Sequence, residues 1–386
     1  SIDLQGSELL VSDATLLGRA GGPTATGGTL SIFSGRFYPQ GSTRTGADIN
    51  LVVTQNGMTI APTNTRPGIG RAVLDASGAI LPGMGYFAAD TFHRGGFANL
   101  DLGAKYLSSA TPIPYGGNVR FDGPVTIHAP GSLRVAAGGV IEANAAVRLS
   151  AAYVALGQPF RAPAHPEDQI SYFQQDPAPV SPIYTFAPTY GPGSLEVHAR
   201  HIDLGTLSLQ NIGRASLTST GDIRGNGIVQ MAGDLTLAAS QIYPTTLADF
   251  NVFVYDPTGG SGSIHVLSTG HAQSPMSAGG KLGLYASSIS QDGTLLAPFG
   301  SITLGWDGKD LDPSDADLDA PVNPLAAGVL GAPVATSITL GAGSVTSVAG
   351  IDARSGQPMF VPFGLSPDGL SWINPGGLDI SISGLP

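Results

Sequence analysis

The sequence predicts an all-β fold: a right-handed parallel β-helix, or β-solenoid, interrupted by loop excursions. Three observations carry that reading. A short apolar skeleton recurs along the chain, several intervals between apolar segments are close to one coil, and glycine collects at turns while helical periodicity is nearly missing. The skeleton is apolar, spacer, apolar, spacer, small, two polar positions, apolar. It reads VRLSAAYV from Val147, LEVHARHI from Leu195, LTLAASQI from Leu235 and LGLYASSI from Leu282. Looser copies are IDLQGSEL at Ile2 and LSIFSGRF at Leu30.

Apolar residues at i and i+2 have the period of a strand, whose alternate side chains face one side. In Leu235, Leu237 and Ala239 the inward face ends on a small residue, and Ile242 resumes it after two polar positions, so two short strands meet at a tight corner. Leu217 to Leu235 is 18 residues, Ile264 to Leu282 is 18 and Leu282 to Ile302 is 20, each about one rung. The strong copies are 48, 40 and 47 residues apart, which suits two rungs plus an excursion. Short β segments repeating at a fixed period indicate a solenoid whose rungs pair at about 4.8 Å. An antiparallel sandwich or barrel also has short, regularly spaced strands. Its strands, however, have no reason to share one skeleton. The expected core includes Leu149, Val154, Val197, Ile202, Leu237, Ile242, Leu284 and Ile289, each stacked on its equivalent in the next rung.

Three stretches break the rung pattern and are expected to leave the coil. Residues 36–109 contain GRFYPQGSTR, TNTRPGIG and GMGYFAADTFHRGGF. Residues 159–193 carry eight prolines and several aromatics, and proline cannot donate to a strand ladder. The third stretch is 306–333. What remains makes about 12 rungs, a stalk of about 60 Å. Residues 1–386 read as a single β-helix segment of a longer protein. Ser1 is followed by no basic, apolar signal segment, which reads as the start of a mature or excised piece. The rung-like start is expected to have continued into further rungs, and in isolation to be covered by a loop or paired with another copy, giving end-to-end or edge self-association.

Composition narrows the function. Gly 55 and Pro 30 stand beside a charged fraction of 12% and a hydrophobic fraction of 42%, enough for a core and too little charge for a disordered chain. Lys and Arg total 17 against 28 acids, a formal charge of -11, so nucleic acid and anionic membrane are poor partners. No apolar run approaches the roughly 20 residues of a membrane span, so no membrane insertion is expected. The absence of cysteine excludes disulfides and thiolate metal sites.

From residue 233 to 350, GDLTLAASQIYPTT, MSAGGKLGLYASSISQDGTLLAPFGSITLG and SITLGAGSVTSVAG resemble the repeats in the C-terminal half of filamentous haemagglutinin-family exoproteins. The resemblance covers about a third of the chain and its motifs describe rungs and turns. It implies a right-handed parallel β-helix stalk, secreted or held on the bacterial cell surface, acting in cell adhesion. It also implies export by two-partner secretion through an outer-membrane partner, and no catalytic residues. A host-cell or glycan receptor is the partner such a role needs.

Candidate chemical sites are few. Aromatics in the excursions, Phe160, Tyr172, Phe173, Tyr184, Phe186 and Tyr190, form the expected contact surface, since loops on a rigid scaffold carry recognition. The competing reading is that they shield the flank of the coil. Asp315, Asp317 and Asp319 alternate in an acidic run and could converge on calcium. They lack the turn glycine and the downstream bidentate Glu, so a solvated acidic loop is the plainer reading and no cofactor is expected. His198 and His201 fall at a rung corner, pointing to solvent. The enzymatic alternative is a β-helix polysaccharide lyase or glycoside hydrolase, which needs a base near acids or two suitably spaced carboxylates. The outward positions Arg148, Ser150, Glu196, His198, Thr236, Ala238, Gly283 and Tyr285 contain one acid, Glu196. A nucleophile elbow, a phosphate-binding loop and an H-E-x-x-H motif are missing.

Overall fold

In the computed structural model, the described residues are 1–6, 9–35, 49–57, 83–104, 117–136, 140–158, 160, 187–255, 262–309, 312–313, 331–351 and 356–359, with two short strands, Gly364–Leu365 and Trp372–Ile373. Every strand pairing between Ile2 and Ser347 among them is parallel, and the strands form a solenoid-like stack with three faces.

The first face joins ten strands, from Ile2–Gly6 through Thr29–Ser34 and Asn99–Ala104 to Thr294–Leu296 and Val345–Ser347. Its inward ladder runs Ile2, Leu30, Leu100, Leu133, Val154, Ile202, Ile223, Ile242 and Leu295. A second face also has ten strands, among them Gly227–Ala232, Asp249–Tyr255, Lys281–Ala286 and Ser301–Leu304. The third face has eight, including Asp234–Ala239, Ser263–Ser268 and Ser288–Asp292, with Val125, Val147, Leu195, Ala215, Leu235, Ile264 and Ile289 stacked in register. All three ladders point into one continuous apolar interior. The eight core residues expected from the sequence all lie in it.

Corner chemistry explains the small and polar positions of the skeleton. Ser219 Oγ donates to the Arg200 carbonyl at 2.7 Å and Ser240 Oγ to the Thr220 carbonyl at 3.1 Å, so corner backbone groups are satisfied from rung to rung. At another corner Gly233 has φ 118°, and a Cβ there would strike the Gly213 carbonyl. Only glycine serves at that position.

The skeleton does not say which corner it turns. VRLSAAYV, LEVHARHI and LTLAASQI each run from the third face to the first. LGLYASSI runs from the second to the third, because Leu282 pairs with Phe250 and Ile302 while Ile289 pairs with Ile264. The fourth copy is therefore displaced by one face from its expected stack. Leu217 stacks on Leu237, 20 residues on, and the 48 residues from Val147 to Leu195 make one rung step, since those two residues pair directly. Residues 36–109, read as one excursion, contain the solenoid strands Ile49–Thr54, Gly83–Ala88 and Asn99–Ala104 and the helix Ala89–Gly95. Gly83–Ala88 sits between Leu9–Leu10 and Ile49–Thr54, so the sheet order inverts the chain order there. Beside the expected 12 rungs, the described residues hold ten first-face strands, a stack of about 48 Å.

The helix closes the amino-terminal edge of the third face. The backbone N–H of His128 donates to His93 Nε2 at 3.2 Å, and that of Thr126 to Gln55 Oε1 at 2.7 Å. Gln55 is held in turn by Asp90 at 2.6 Å. Leu16 packs on the core beside Phe92 and Phe97, whose rings stack 6.2 Å apart. These groups meet the donors and the apolar edge that an uncovered rung would expose.

The alternation can be tested with two neighbours. Leu237 is fully buried and Thr236 faces outward. Leu237→Ala is expected to lower the unfolding free energy by about 2–5 kcal/mol, and Thr236→Ala to change it by less than about 0.5 kcal/mol, in denaturant titrations of the purified chain. Equal losses would contradict the assigned faces.

Candidate functional site

Outward positions of the first face build a polar ladder. Arg224 donates from Nε to Asp203 Oδ1 at 2.8 Å and from Nη2 to Oδ2 at 2.7 Å, and Tyr153 OH donates to Oδ2 at 2.8 Å. One rung on, Tyr243 OH donates to Asp222 Oδ2 at 2.8 Å. Arg134 lies over the Tyr153 ring at 5.7 Å, and Arg224 lies 6.0 Å from the Phe160 ring centre. Burial first, then the neighbouring Asp carboxylates, hold the Tyr153 and Tyr243 phenols well above their ordinary value. Asp101 is also raised, by burial opposed by Arg134. Asp203 is committed to Arg224 and Tyr153, and Asp222 to Tyr243, which ties rungs together and leaves Asp203 little freedom to act as a base.

The outer side of the second face is different. Phe253 and Tyr285, on adjacent rungs, stack 4.8 Å apart at 14°, and Tyr255 lies 6.4 Å from Phe253. Ile228, Trp306 and Ala332 pack on them, so Tyr285, although outward-facing, is only 6% exposed. Asp312 fastens the returning chain by accepting from the Ala332 N–H at 3.0 Å. Within this flank Ser208 Oγ, both amide atoms of Gln230, Tyr255 OH and Trp306 Nε1 are buried without a hydrogen-bond partner among the described residues.

Beside the aromatic stack is a recess of about 160 Å³, which spans four rungs. Its floor is Gly283, where a Cβ would collide with Asn251 Oδ1 and the Tyr285 ring. Asp249 and Lys281 pair across one end at 3.3 Å. Asn251, Ser301 and Thr303 add neutral polar groups, with the Thr303 hydroxyl hydrogen-bonded to the Tyr285 phenol. Ile228 and Pro313 form apolar walls. The arrangement offers donors and acceptors on a rigid sheet, with no free charge of either sign at the Asp249–Lys281 end.

Of the aromatics expected to make contacts, Phe160 lies against Arg224, and Tyr190 is 52% exposed with its ring across Gly213. Tyr172, Phe173, Tyr184 and Phe186 lie outside the described residues, as do Asp315, Asp317 and Asp319. Among the described residues no three His, Asp or Glu side chains are grouped to hold a metal. His198 does not converge with His201. It pairs with Glu196 at 2.8 Å, and Glu196 also binds Arg148 at 3.0 Å. The His198 hydrogen bond, then that of Arg148, lowers the Glu196 carboxyl below its ordinary value.

The recess residues were missed because KLGLYA was aligned with DLTLAA. Aligned with DFNVFVY, as the register requires, the outward pairs read Asp249 with Lys281, Asn251 with Gly283 and Phe253 with Tyr285. Comparison of the chain with protein-family models, with curated proteins and with solved structures returns no match.

Two outcomes are expected. Gln230→Met, which removes a fully buried unpaired amide at similar volume, raises the unfolding free energy by about 1 kcal/mol, measured by denaturant titration; a loss would mean that the amide is satisfied by a bound group. The raised phenols of Tyr153, Tyr243 and Tyr255 also set an alkaline limit. The unfolded chain loses these protons near the ordinary value of 10.0 while the folded chain keeps them. Their contribution is therefore complete below about pH 10 and falls as pH rises beyond it. Melting temperatures across that range should drop above about pH 10, together with a cooperative step in tyrosine absorbance.

Proposed function

We propose that this chain is a segment of right-handed parallel β-helix from a filamentous haemagglutinin-like exoprotein. In that role it is exported by two-partner secretion and serves outside the bacterial cell as a stalk that presents a binding surface in adhesion. The observation that carries the reading is the in-register stacking from Ile2 to Ser347 around one apolar interior. Stability then accumulates rung by rung, so reach can be extended without redesigning a core. Handedness follows the general rule that about 98% of parallel crossovers are right-handed. The rung and turn motifs of residues 233–350 support the family, and the charge of -11 favours a protein or neutral glycan partner over nucleic acid.

A lyase or hydrolase is the second reading, because the first-face ladder brings Arg224 close to the carboxylates of Asp203 and Asp222 on neighbouring rungs. Against it, Arg224 and both phenols are engaged with those carboxylates. The test applies the labelled chain to cultured epithelial cells and matrix proteins, beside lyase and hydrolase assays on acidic polysaccharides. Saturable surface binding without turnover is expected; turnover without stable binding would replace this proposal with the enzymatic one.

A further inference from the structure

We infer that the second-face recess holds one neutral pyranose ring of a glycan, making it a specific contact point for the adhesive role proposed above, on which this inference rests. Ligand class follows by elimination from the side chains present. A divalent cation needs several carboxylates, and among the described residues lining the recess the one carboxylate is Asp249, already paired with Lys281. A phosphate or sulfate needs uncompensated positive charge, and among the described residues lining the recess the one cation is Lys281, which Asp249 compensates. A planar aromatic ligand needs an open ring face, whereas Phe253 and Tyr285 stack on each other and are almost wholly buried.

A pyranose needs what the recess has: donors and acceptors in several directions beside an apolar wall for its C–H face. Asn251 supplies both an N–H₂ and a carbonyl, and its side chain makes no hydrogen bond among the described residues. Ser301 adds a hydroxyl one rung beyond Lys281, and Ile228 and Pro313 supply the apolar side. Glycine at 283 lets the Asn251 side chain and the Tyr285 ring lie close against the strand, since a Cβ there would strike both. At about 160 Å³ the recess is smaller than the roughly 300–1,000 Å³ of drug-sized sites, which limits it to a single ring. Four hydrogen-bonded rungs fix these groups before binding, so little ordering is required.

The test titrates the full chain by ligand-observed NMR with the methyl glycosides of galactose, glucose and mannose and with sodium glucuronate. The variants are Asn251→Ala and Ser301→Ala, with cell binding measured in parallel. At least one neutral glycoside should bind with a dissociation constant of about 1–10 mM, and glucuronate about tenfold more weakly. Binding should fall about tenfold in Asn251→Ala at an unchanged melting temperature, and Ser301→Ala, an exposed position, gives the same reading should Asn251→Ala melt early. No neutral glycoside binding, binding undiminished in both variants, or equal binding of glucuronate would overturn the inference. Cell binding that persists without any glycoside binding removes the recess and keeps the adhesive reading. Glycoside binding without any cell or matrix binding keeps the recess and removes the adhesive reading.

Discussion

A strand in this molecule is satisfied only by the strands above and below it. Its N–H and C=O groups point along the stack, and its inward side chains rest on like side chains one rung away: Leu149 on Val197, Val197 on Leu217, Leu217 on Leu237. Parallel in-register pairing is therefore the constraint from which the rest follows. It puts like residues on like residues, which permits a narrow interior without large side chains from distant segments. It sets small residues such as Ser219, Gly233 and Ser240 at the corners, and it puts every other residue outward on three long flanks.

Those flanks carry the differences between rungs. On the first face the outward residues are charged and phenolic, and their mutual pairing of Asp203, Arg224 and Tyr153 binds neighbouring rungs together. On the second face they are aromatic and amide groups partly roofed by the chain around Asp312 and Ala332. Stability is given up on this flank, where Gln230 and Tyr255 are buried with unpaired polar atoms, each costing about 1–3 kcal/mol. The recess lies at the open margin of that layer, rigid below and unpaired above.

The strand period, the parallel stacking and the membership of the core were legible because inward positions answer to one requirement, apolar and small enough to stack. Leu149, Ile202 and Ile242 follow directly from it. The rung register was less legible. The same skeleton fits any corner between two faces, so LGLYASSI was assigned one face away from its place, and with it Lys281, Gly283 and Tyr285. Strands such as Ile49–Thr54 and Gly83–Ala88 were hidden inside a stretch rich in glycine and proline, and their inverted order in the sheet leaves no local signature. The first-face ladder was unreadable for a related reason: Asp203 and Arg224 are 21 residues apart and become neighbours only once the register is known.

Cross-linking of chosen rungs tests the stacking most directly, because the chain has no cysteine of its own. Arg148 and Glu196 are 48 residues apart in sequence and face each other on adjacent rungs. Direct neighbours in a parallel pair lie within the roughly 4.4–6.8 Å Cα separation that a disulfide spans. Arg148→Cys with Glu196→Cys should oxidise to near completion in the folded protein, read by mass spectrometry of the linked peptides. Arg148→Cys with His198→Cys, displaced by two residues along the strand, should remain largely reduced. Equal cross-linking of both pairs, or of neither, would contradict the in-register parallel stack.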